Sequence, residues 1–390
     1  MAYNFDTKID RKNTNSIKWD FTEEFFGEED LLPMWVADMD FKAPIEVINK
    51  IEERAEHGVY GYTSKPDSFY ESIINWLDKR HNWKINKKSI MITPGVVPGI
   101  NLSIMAYTEP KDKIIIQSPV YFPFFDAVKE NDRTLINNPL KKENGKYKID
   151  YEDLKSKIDE DTKMIILCNP HNPVGRVWSK EELKELADIC IENDIIVLSD
   201  EIHSDIIYEG SKHTPIASIS EEMAERTITF MAPSKTFNVA GLSTAMTIIE
   251  NKKMRKQFNK MLNKLHLSLT NVFGIVGLEA CYKYGEDWLE DLKKYLQNNI
   301  DYTINFIEEN IPEIKVNKPE GTFLMWLDFS GLSLSEDEID KLLLKDAKVA
   351  LNKGKTFGKG GEYHRRLNIG CPLETLKEAL NRMEKAINKK

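Results

Sequence analysis

The chain has 390 residues, too many for one ordinary hydrophobic core, and this length suits two domains or a large domain with a smaller one. With 41% hydrophobic and 30% charged residues, the composition is that of a globular protein. The net charge of −9 argues against binding to nucleic acid or to an anionic membrane through a broad positive field.

The N-terminal stretch lacks the apolar core of a secretory signal peptide, and the apolar runs elsewhere have only the length of strands. We therefore expect neither export nor a membrane span. The cysteines lie far apart without metal-ligand spacing, which favours buried free thiols at Cys168, Cys190, Cys281 and Cys371. These features indicate a cytoplasmic protein without a metal site.

Short apolar runs alternate with helical patterns through most of the chain. The runs that predict buried strands are Ile90–Ile92, Ile114–Ile116, Met164–Leu167, Ile195–Leu198 and Ile228–Met231. The clearest helix is Lys180–Glu192, with Ser179 as its N-cap and Glu182 as the partner in a capping box. This alternation predicts an α/β fold with a mostly parallel sheet covered on both faces.

The pattern changes in the C-terminal third. Trp288–Glu309 predicts one long amphipathic helix, and short strands follow near Ile314–Val316 and at Thr322–Asp328. Two further helical patterns complete what we expect to be a smaller α+β unit. The first fifty residues lack the alternation and are expected to pack with that unit. The predicted division is therefore 1–50, 51–287 for the large domain and 288–390 for the small domain.

Unusual polar segments follow several of the predicted strands, where open parallel sheets bind their ligands. The first is the glycine-containing turn Thr93–Gly99, which enters a helix. Such a turn can bind an anion through free N–H groups and the helix dipole, although a purely structural turn also fits. The second is Asn169–Gly175, where two Asn-Pro pairs favour either a cis-locked functional loop or a rigid connector.

The other two segments carry an acid and a base. Asp200 ends a buried strand, so it needs a cation, a metal or a ring N–H as its partner, and a structural ion pair is the alternative. His203, three residues later, alone would suit a packed histidine. Lys235 follows another buried strand, where a lysine can lose its proton and act as a nucleophile, although an exposed lysine is the alternative.

The order of these segments resembles the signature of the aspartate aminotransferase superfamily, the fold-type I enzymes that use pyridoxal 5′-phosphate (PLP). The matching motifs are N-P-H-N-P-x-G at 169–175, S-D-E-I-H at 199–203, S-K-T-F-N at 234–238 and R-L-N-I-G at 366–370. Within the superfamily, L-P-M-W-V-A-D-M-D-F at 32–41 resembles the MalY/PatB group of cystathionine β-lyases (cysteine-S-conjugate β-lyases). Gly61-Tyr62, N-V-A-G-L at 238–242 and C-P after R-L-N-I-G are similar to that group as well.

The resemblance implies an aspartate aminotransferase-like fold, in which a mostly parallel seven-stranded sheet forms the large PLP-binding domain. It implies that Lys235 holds PLP as a Schiff base and moves the substrate Cα proton, while Asp200 pairs with the pyridinium nitrogen. Arg366 would bind the substrate α-carboxylate with two parallel hydrogen bonds. We prefer Arg366 to the adjacent Arg365 because it directly precedes L-N-I-G.

The remaining implied contacts are to the cofactor ring and its phosphate. Asn172 would contact the phenolic oxygen and Tyr121 the ring face, and both would also lie at the substrate. The other implied cofactor positions are His203, Ser234, Gly95, Val96, Val97 and, from the neighbouring subunit, Tyr62. The resemblance thus implies a homodimer with shared active sites.

Two positions depart from the wider superfamily. His203 stands where aminotransferases usually carry a tyrosine, and Ser243 stands where many carry a phosphate-binding arginine. Ser243 or the hydroxyl of Tyr62 would partly replace that cation. Both departures resemble the MalY/PatB pattern and make transamination less favoured.

The sequence therefore predicts a PLP-dependent C–S β-lyase of sulfur amino acid metabolism. Its substrate would be cystathionine, cystine or a related cysteine conjugate, and its products a thiol, pyruvate and ammonia. An aminotransferase on the same scaffold is the alternative, since it would use the same lysine, aspartate and arginine. A non-catalytic regulator with this fold is a third class. Regulators of this kind add a DNA-binding domain, and we expect the 390 residues to leave no length for one.

Overall fold

A computed structural model describes residues 3–143 and 145–389. The strands are β1 (Leu32–Pro33), β2 (Ile90–Thr93), β3 (Lys113–Ile116), β4 (Thr134–Asn137), β5 (Lys141–Glu143), β6 (Lys146–Lys148), β7 (Thr162–Cys168), β8 (Ile196–Asp200), β9 (Thr227–Met231), β10 (Ala245–Ile249), β11 (Lys315–Val316), β12 (Leu324–Asp328), β13 (Val349–Ala350), β14 (Asn352–Lys353) and β15 (His364–Asn368).

Helices lie between and around these strands. They are α1 (Ile17–Asp20), α2 (Thr22–Phe26), α3 (Ile45–Glu56), α4 (Asp67–His81), α5 (Val96–Tyr107), α6 (Pro123–Lys129), α7 (Tyr151–Lys157), α8 (Lys180–Glu192), α9 (Glu221–Ala224), α10 (Pro233–Thr236), α11 (Lys252–Lys264), α12 (Val272–Tyr284), α13 (Glu286–Asn310), α14 (Glu336–Lys341) and α15 (Leu373–Ile387). The described helices do not include one long and apolar enough to span a membrane.

The large sheet has seven strands in the order β2-β10-β9-β8-β7-β3-β4. Only β10 runs antiparallel to its neighbours, so the predicted mostly parallel sheet is confirmed. Its two faces are both covered. Ile114 and Ile116 pack in the cluster that includes α5, whereas Ile115 between them joins the cluster on the side of α8, as the two-residue period of a strand requires.

The strands predicted from apolar runs and the helix Lys180–Glu192 are present, and Ser179 and Glu182 form the expected capping box. Two strands of the large sheet, β4 and β10, were not predicted. The edge strand β4 is only partly buried, so its sequence T-L-I-N lacks a continuous apolar run. The four cysteines are buried and free.

The small sheet has the order β11-β12-β15-β14 and packs with the long helix α13 and with α15. The N-terminal segment joins this region because β1 pairs with β13 in parallel. The division at residues 50 and 287 stays a prediction. Helix α3 spans the first position and packs on α12, and α13 spans the second.

A buried ion cluster within the N-terminal segment joins Arg11 and Lys18 to Asp38 and Asp40. Lys18, fully buried, donates to Asp40 Oδ2 at 2.7 Å. Arg11 binds Asp38 Oδ2 at 2.7 Å and Asp40 Oδ1 at 2.8 Å. Burial alone would raise the pKa of Asp40, but Lys18, Trp19 and Arg11 hold that pKa below its usual value.

Candidate active site

A cavity of about 210 Å³ lies at the carboxyl ends of β7, β8 and β9. These strands run parallel, so the residues that follow each of them lie along one edge of the sheet. The motifs, which are separate in the sequence, therefore meet at this edge. The sequence-predicted residues in its lining are Gly95, Val96, Val97, Tyr121, Asn172, Asp200, His203, Ser234, Lys235 and Ser243. Arg366 adjoins this group through Asn172, and Tyr62 lies apart from it.

Lys235 occupies the short helix α10, directly after β9. Its Nζ donates a hydrogen bond to the main-chain oxygen of Ala37 at 2.8 Å. The surrounding protein lowers the pKa of Lys235, because burial disfavours the ammonium form. The nearby positive charge of Arg366 acts in the same direction, while Asp38 and Asp200 oppose it. The lysine therefore gives up its proton more readily than an exposed one.

Asp200 is the last residue of β8 and is buried. Its Oδ1 accepts a hydrogen bond from the main-chain N–H of Ile202 at 3.1 Å. Burial raises the pKa of Asp200 to about 7, although that hydrogen bond and Lys235 act against the rise. Among the described residues, no cation lies at ion-pair distance from this carboxylate. Asp200 thus suits a ligand that brings its own positively charged N–H.

The turn before α5 forms a cradle of backbone groups. Gly95 has a φ of +154°, which favours glycine, and Thr93 Oγ1 donates to its oxygen at 3.0 Å. The first N–H groups of α5 lack intrahelical acceptors, so they and the helix dipole can bind an anion. Gly99 lets α5 lie directly on the sheet, because a Cβ there would meet the Phe230 ring at 2.9 Å.

Three side chains line the cavity walls. Asn172 is buried and its Oδ1 accepts from Arg366. His203 is buried with Nδ1 unpartnered, and burial lowers its pKa to about 3, so its ring is neutral. Tyr121 lies partly buried, and burial raises the pKa of its phenol. These groups present polar, uncharged edges to the cavity.

Arg366 on β15 is fully enclosed. Its Nη1 donates to Asn172 Oδ1 at 3.0 Å, and its Nη2 donates to Trp35 O at 2.9 Å and to Asn352 Oδ1 at 2.6 Å. Its Nε has no acceptor within the described part of the chain. Arg365, by contrast, points to Glu336 and Asp340, at 2.9 Å and 2.7 Å. Of the two neighbours, Arg366 is the one next to the cavity.

Tyr62 lies outside the cavity, in the extended stretch between α3 and α4. Its side chain is 96% exposed, and Val59 and Tyr60 beside it are exposed too. Within one chain, Tyr62 therefore contributes nothing to the site.

Sequence reasoning missed several groups around the cavity. Ala37, Cys168 and Thr244 are part of its lining, and Ala37 supplies the oxygen that accepts from Lys235. In the sequence, the motif at 32–41 indicates only a resemblance to the MalY/PatB group. Asn352, which binds Arg366, has no chemical signal in the sequence, since only the pairing of β14 with β15 brings the two together.

A wider cleft of about 610 Å³ lies between α4 and α13. Its cations are largely paired with its own acids: Arg80 binds Glu290, and Lys79 binds Glu286. The smaller cavity, by contrast, contains the amine of Lys235 and the carboxylate of Asp200 without such pairing, and the guanidinium of Arg366 adjoins it through Asn172. The residues of the smaller cavity are therefore better candidates for an active site than those of the wider cleft.

The donor set of the smaller cavity fits PLP. The amine of Lys235 can bond to an aldehyde, buried Asp200 can accept from a ring N–H, and the start of α5 can hold a phosphate. The acids and histidines of the described residues include no cluster of three or more that could hold a metal ion.

Comparisons with known proteins agree with this geometry. The chain is 44% identical to the cystathionine β-lyase PatB of Bacillus subtilis over 99% of this chain and all of the relative. The crystal structure of a PLP-bound protein from Clostridium difficile 630, provisionally named an aminotransferase, matches with a TM-score of 0.97 and 51% identity over 99% of this chain and 100% of that one.

Cystalysin from Treponema denticola, whose structure contains PLP, matches with a TM-score of 0.97 and 38% identity over the whole of both chains. The family described as "Aminotransferase class I and II" matches residues 29–383, nearly the full length. The predicted fold and cofactor are thus confirmed, and the chain belongs to the class I and II aminotransferase family of PLP-dependent enzymes.

Proposed function

We propose that this chain is a PLP-dependent C–S β-lyase, which cleaves L-cystathionine or related cysteine S-conjugates to a thiol, pyruvate and ammonia. The observation that carries the proposal is full-length similarity to a cystathionine β-lyase, at 44% identity. The cavity adds the groups that such a reaction requires: a base, an acid that can pair with a ring cation, and a carboxylate receptor.

PLP, when bound, supplies an electron sink for the negative charge that develops at the substrate Cα. Asp200 supports this chemistry from β8, because its buried carboxylate can keep a ring N–H protonated. Its pKa of about 7 describes the side chain without that positive partner. A cation beside it lowers the pKa again and keeps the carboxylate ionised.

Lys235 is the proton carrier. With its pKa lowered by burial, its Nζ can take the proton from the substrate Cα at neutral pH. The Cβ–S bond then breaks, and sulfur leaves with the electron pair as a thiolate. Water subsequently converts the remaining three-carbon unit to pyruvate and ammonia. Ala37 O, at 2.8 Å from Nζ, fixes the direction in which the amine points.

The other residues bind and orient. Arg366 would take the substrate α-carboxylate, while Asn172 and Tyr121 would contact both the cofactor ring and the substrate. Main-chain groups at 95–97, with Ser234, would bind the phosphate. Neutral His203 would face the ring without adding charge.

We further propose a homodimer in which Tyr62 serves the neighbouring active site. Tyr62 is almost wholly exposed, and Val59 and Tyr60 beside it are exposed as well. These three side chains form an apolar strip of the kind that a partner protein covers. A second copy of the chain would both cover this strip and receive the tyrosine hydroxyl at its cofactor phosphate. We place the enzyme in the cytoplasm, where its four buried thiols stay reduced.

An aminotransferase is the second candidate, favoured by the provisional name of the Clostridium difficile protein. One experiment separates the two. Purified protein loaded with PLP is given L-cystathionine without any 2-oxo acid. Free thiol is followed with a disulfide dye, and pyruvate with lactate dehydrogenase and NADH. The Lys235→Ala variant is the control for background.

Thiol and pyruvate appearing together in equal amounts is the expected result. If neither forms until 2-oxoglutarate is added, and glutamate then accumulates, the enzyme is an aminotransferase.

A further inference from the structure

Two neighbouring arginines on β15 lie in opposite electrostatic settings. Arg365 is 1% exposed and is paired with two carboxylates, Glu336 and Asp340. Arg366 is 3% exposed, yet the described part of the chain gives it no carboxylate partner at ion-pair distance. Since both are buried, only Arg365 has the compensation that a buried charge normally needs.

The groups that accept hydrogen bonds from Arg366 are all neutral. Its three hydrogen-bond acceptors are the amide oxygens of Asn172 and Asn352 and the main-chain oxygen of Trp35. The ring of Phe357 lies 5.1 Å from its guanidinium carbon. Burial without an anion lowers the pKa of Arg366 to about 10, so the guanidinium is still charged at neutral pH.

Asn352 lies outside the lining of the cofactor cavity. It stands on β14 directly opposite Arg366, and its Oδ1 makes the shortest contact with the guanidinium, at 2.6 Å. The next residue, Lys353, stands opposite Arg365 and binds Asp340, which Arg365 also binds. Helix α14 thus places two acids around Arg365, whereas β14 places an amide against Arg366.

We infer that Asn352 is a positioning and affinity-determining residue, which orients Arg366 with a neutral oxygen so that the guanidinium keeps its charge for the substrate carboxylate. The inference rests on the proposed role of Arg366 in substrate binding. Aspartate has nearly the same shape as asparagine, and its carboxylate would occupy the same 2.6 Å contact. It would neutralise Arg366 and compete with the substrate.

This arrangement makes stability and affinity respond in opposite directions. An aspartate at 352 would compensate a buried cation, so the folded protein should become more stable. The same change should weaken binding of any ligand that carries a carboxylate. If Asn352 had only a structural role, its substitution would instead destabilise the protein and would leave the affinity for the ligand unchanged.

The test compares Asn352→Asp with Asn4→Asp as the matched control. Asn4 is exposed and its Oδ1 accepts from the N–H of Asp6, so the control adds the same charge and keeps its acceptor. PLP-loaded protein is titrated with L-alanine and with ethylamine, which lacks the carboxylate, and binding is followed by the cofactor absorbance. Melting temperatures are measured on the cofactor-free proteins.

We expect Asn352→Asp to weaken L-alanine binding about tenfold or more, to leave ethylamine binding within about twofold, and to raise the melting temperature. In steady-state assays, KM for the amino acid should rise while kcat changes little. Unchanged L-alanine affinity, or equal losses for both ligands, would overturn the inference. The titration reports binding whether elimination or transamination follows, so failure of the proposed reaction is seen separately.

A second variant covers the case in which Asn352→Asp does not fold. Asn352→Ala removes the acceptor without adding charge. We expect about threefold to tenfold weaker L-alanine binding, unchanged ethylamine binding and no gain in melting temperature. Full L-alanine affinity in Asn352→Ala would show that Asn352 does not orient Arg366.

Discussion

The Nζ atom of Lys235 donates a hydrogen bond to the main-chain oxygen of Ala37, 2.8 Å away and 198 positions earlier in the sequence. This contact links the helical turn after β9 to the part of the N-terminal segment around Asp38 and Asp40. Arg11 binds Asp38 and Lys18 binds Asp40, so this part is itself held in place. Lys235 is therefore oriented by a part of the chain far from its own strand.

Replacing Lys235 by alanine should reduce β-elimination by at least about a thousandfold, because the group that moves the Cα proton is lost. The cofactor should still bind without covalent attachment, since the phosphate cradle and Asp200 remain. Mass spectrometry after borohydride reduction should find PLP attached to every protein that keeps Lys235 and absent from Lys235→Ala. Lys264→Ala, at the end of α11, is the control. Normal turnover by Lys235→Ala would contradict the assignment.

Asp200 should make the cofactor-free protein less stable as pH rises. Its pKa is about 7 when folded and 3.8 as the ordinary value, so the folded state holds the proton more tightly. Stability therefore falls between about pH 4 and 7. The variant Asp200→Asn has no such titration, so its free energy of unfolding should not fall in this way. Measured in urea, the difference between the free energies of unfolding of variant and parent should change in favour of the variant by about 2–3 kcal/mol from pH 5 to 8. A constant difference would refute the elevated pKa.

Arg366→Lys and Arg365→Lys should separate binding from folding. Lysine at 366 keeps the charge but loses the planar fork, so KM for the amino acid should rise about tenfold or more. Lysine at 365 should cost about 2 kcal/mol in unfolding free energy, because one of the two bonds to Glu336 and Asp340 is lost. Steady-state kinetics and urea unfolding measure the two effects. The opposite pattern would assign the substrate to Arg365.

Lys18→Met should destabilise the protein by about 3 kcal/mol, since buried Asp40 would lose its closest cation while keeping Arg11. Lys8→Met is the matched control. The ion pair of Lys8 with Glu374, at 3.6 Å, is exposed, and its loss should cost less than about 0.5 kcal/mol. Urea unfolding compares them. Equal effects would mean that the buried pair contributes no more than a surface pair.

Tyr62 offers a test of the shared site. Tyr62→Ala and Lys235→Ala should each be inactive or nearly so as separate homodimers. After unfolding and refolding in equal amounts, half of the dimers should be mixed, and each mixed dimer has one intact site. About a quarter of the parent activity should return. If mixing restores nothing although mixed dimers are found by mass, Tyr62 does not act across the interface.

Much of the fold follows from local sequence because the central strands are buried on both faces. Runs such as Met164–Leu167 need no partner to be recognised, and their order brings Asp200 and Lys235 to one edge. The edge strand β4 is not predicted because the burial of an edge depends on what covers it. Strand β10 is buried and internal, but Thr247 interrupts its short apolar run. Motif resemblance supplied the cofactor and the family.

Contacts between distant segments could not be read from the sequence. Asn352 lies opposite Arg366 only because β14 pairs with β15 in one register, and no local pattern fixes that register. The partner of Lys235 is a main-chain oxygen, which every residue possesses. Such positions become visible only when the whole chain is packed.

The ion cluster of Arg11 and Lys18 with Asp38 and Asp40 has a consequence for the life of the enzyme. A protease that cut between residues 18 and 32 would leave Arg11 and Lys18 on a separate piece, held only by noncovalent contacts. If this piece dissociated, both cations would leave the wall that holds Lys235, and the large sheet would stay intact. Asp40 would be left with an unanswered negative charge, and the wall would loosen. One cut near the beginning of the chain would thus weaken the contacts that orient Lys235.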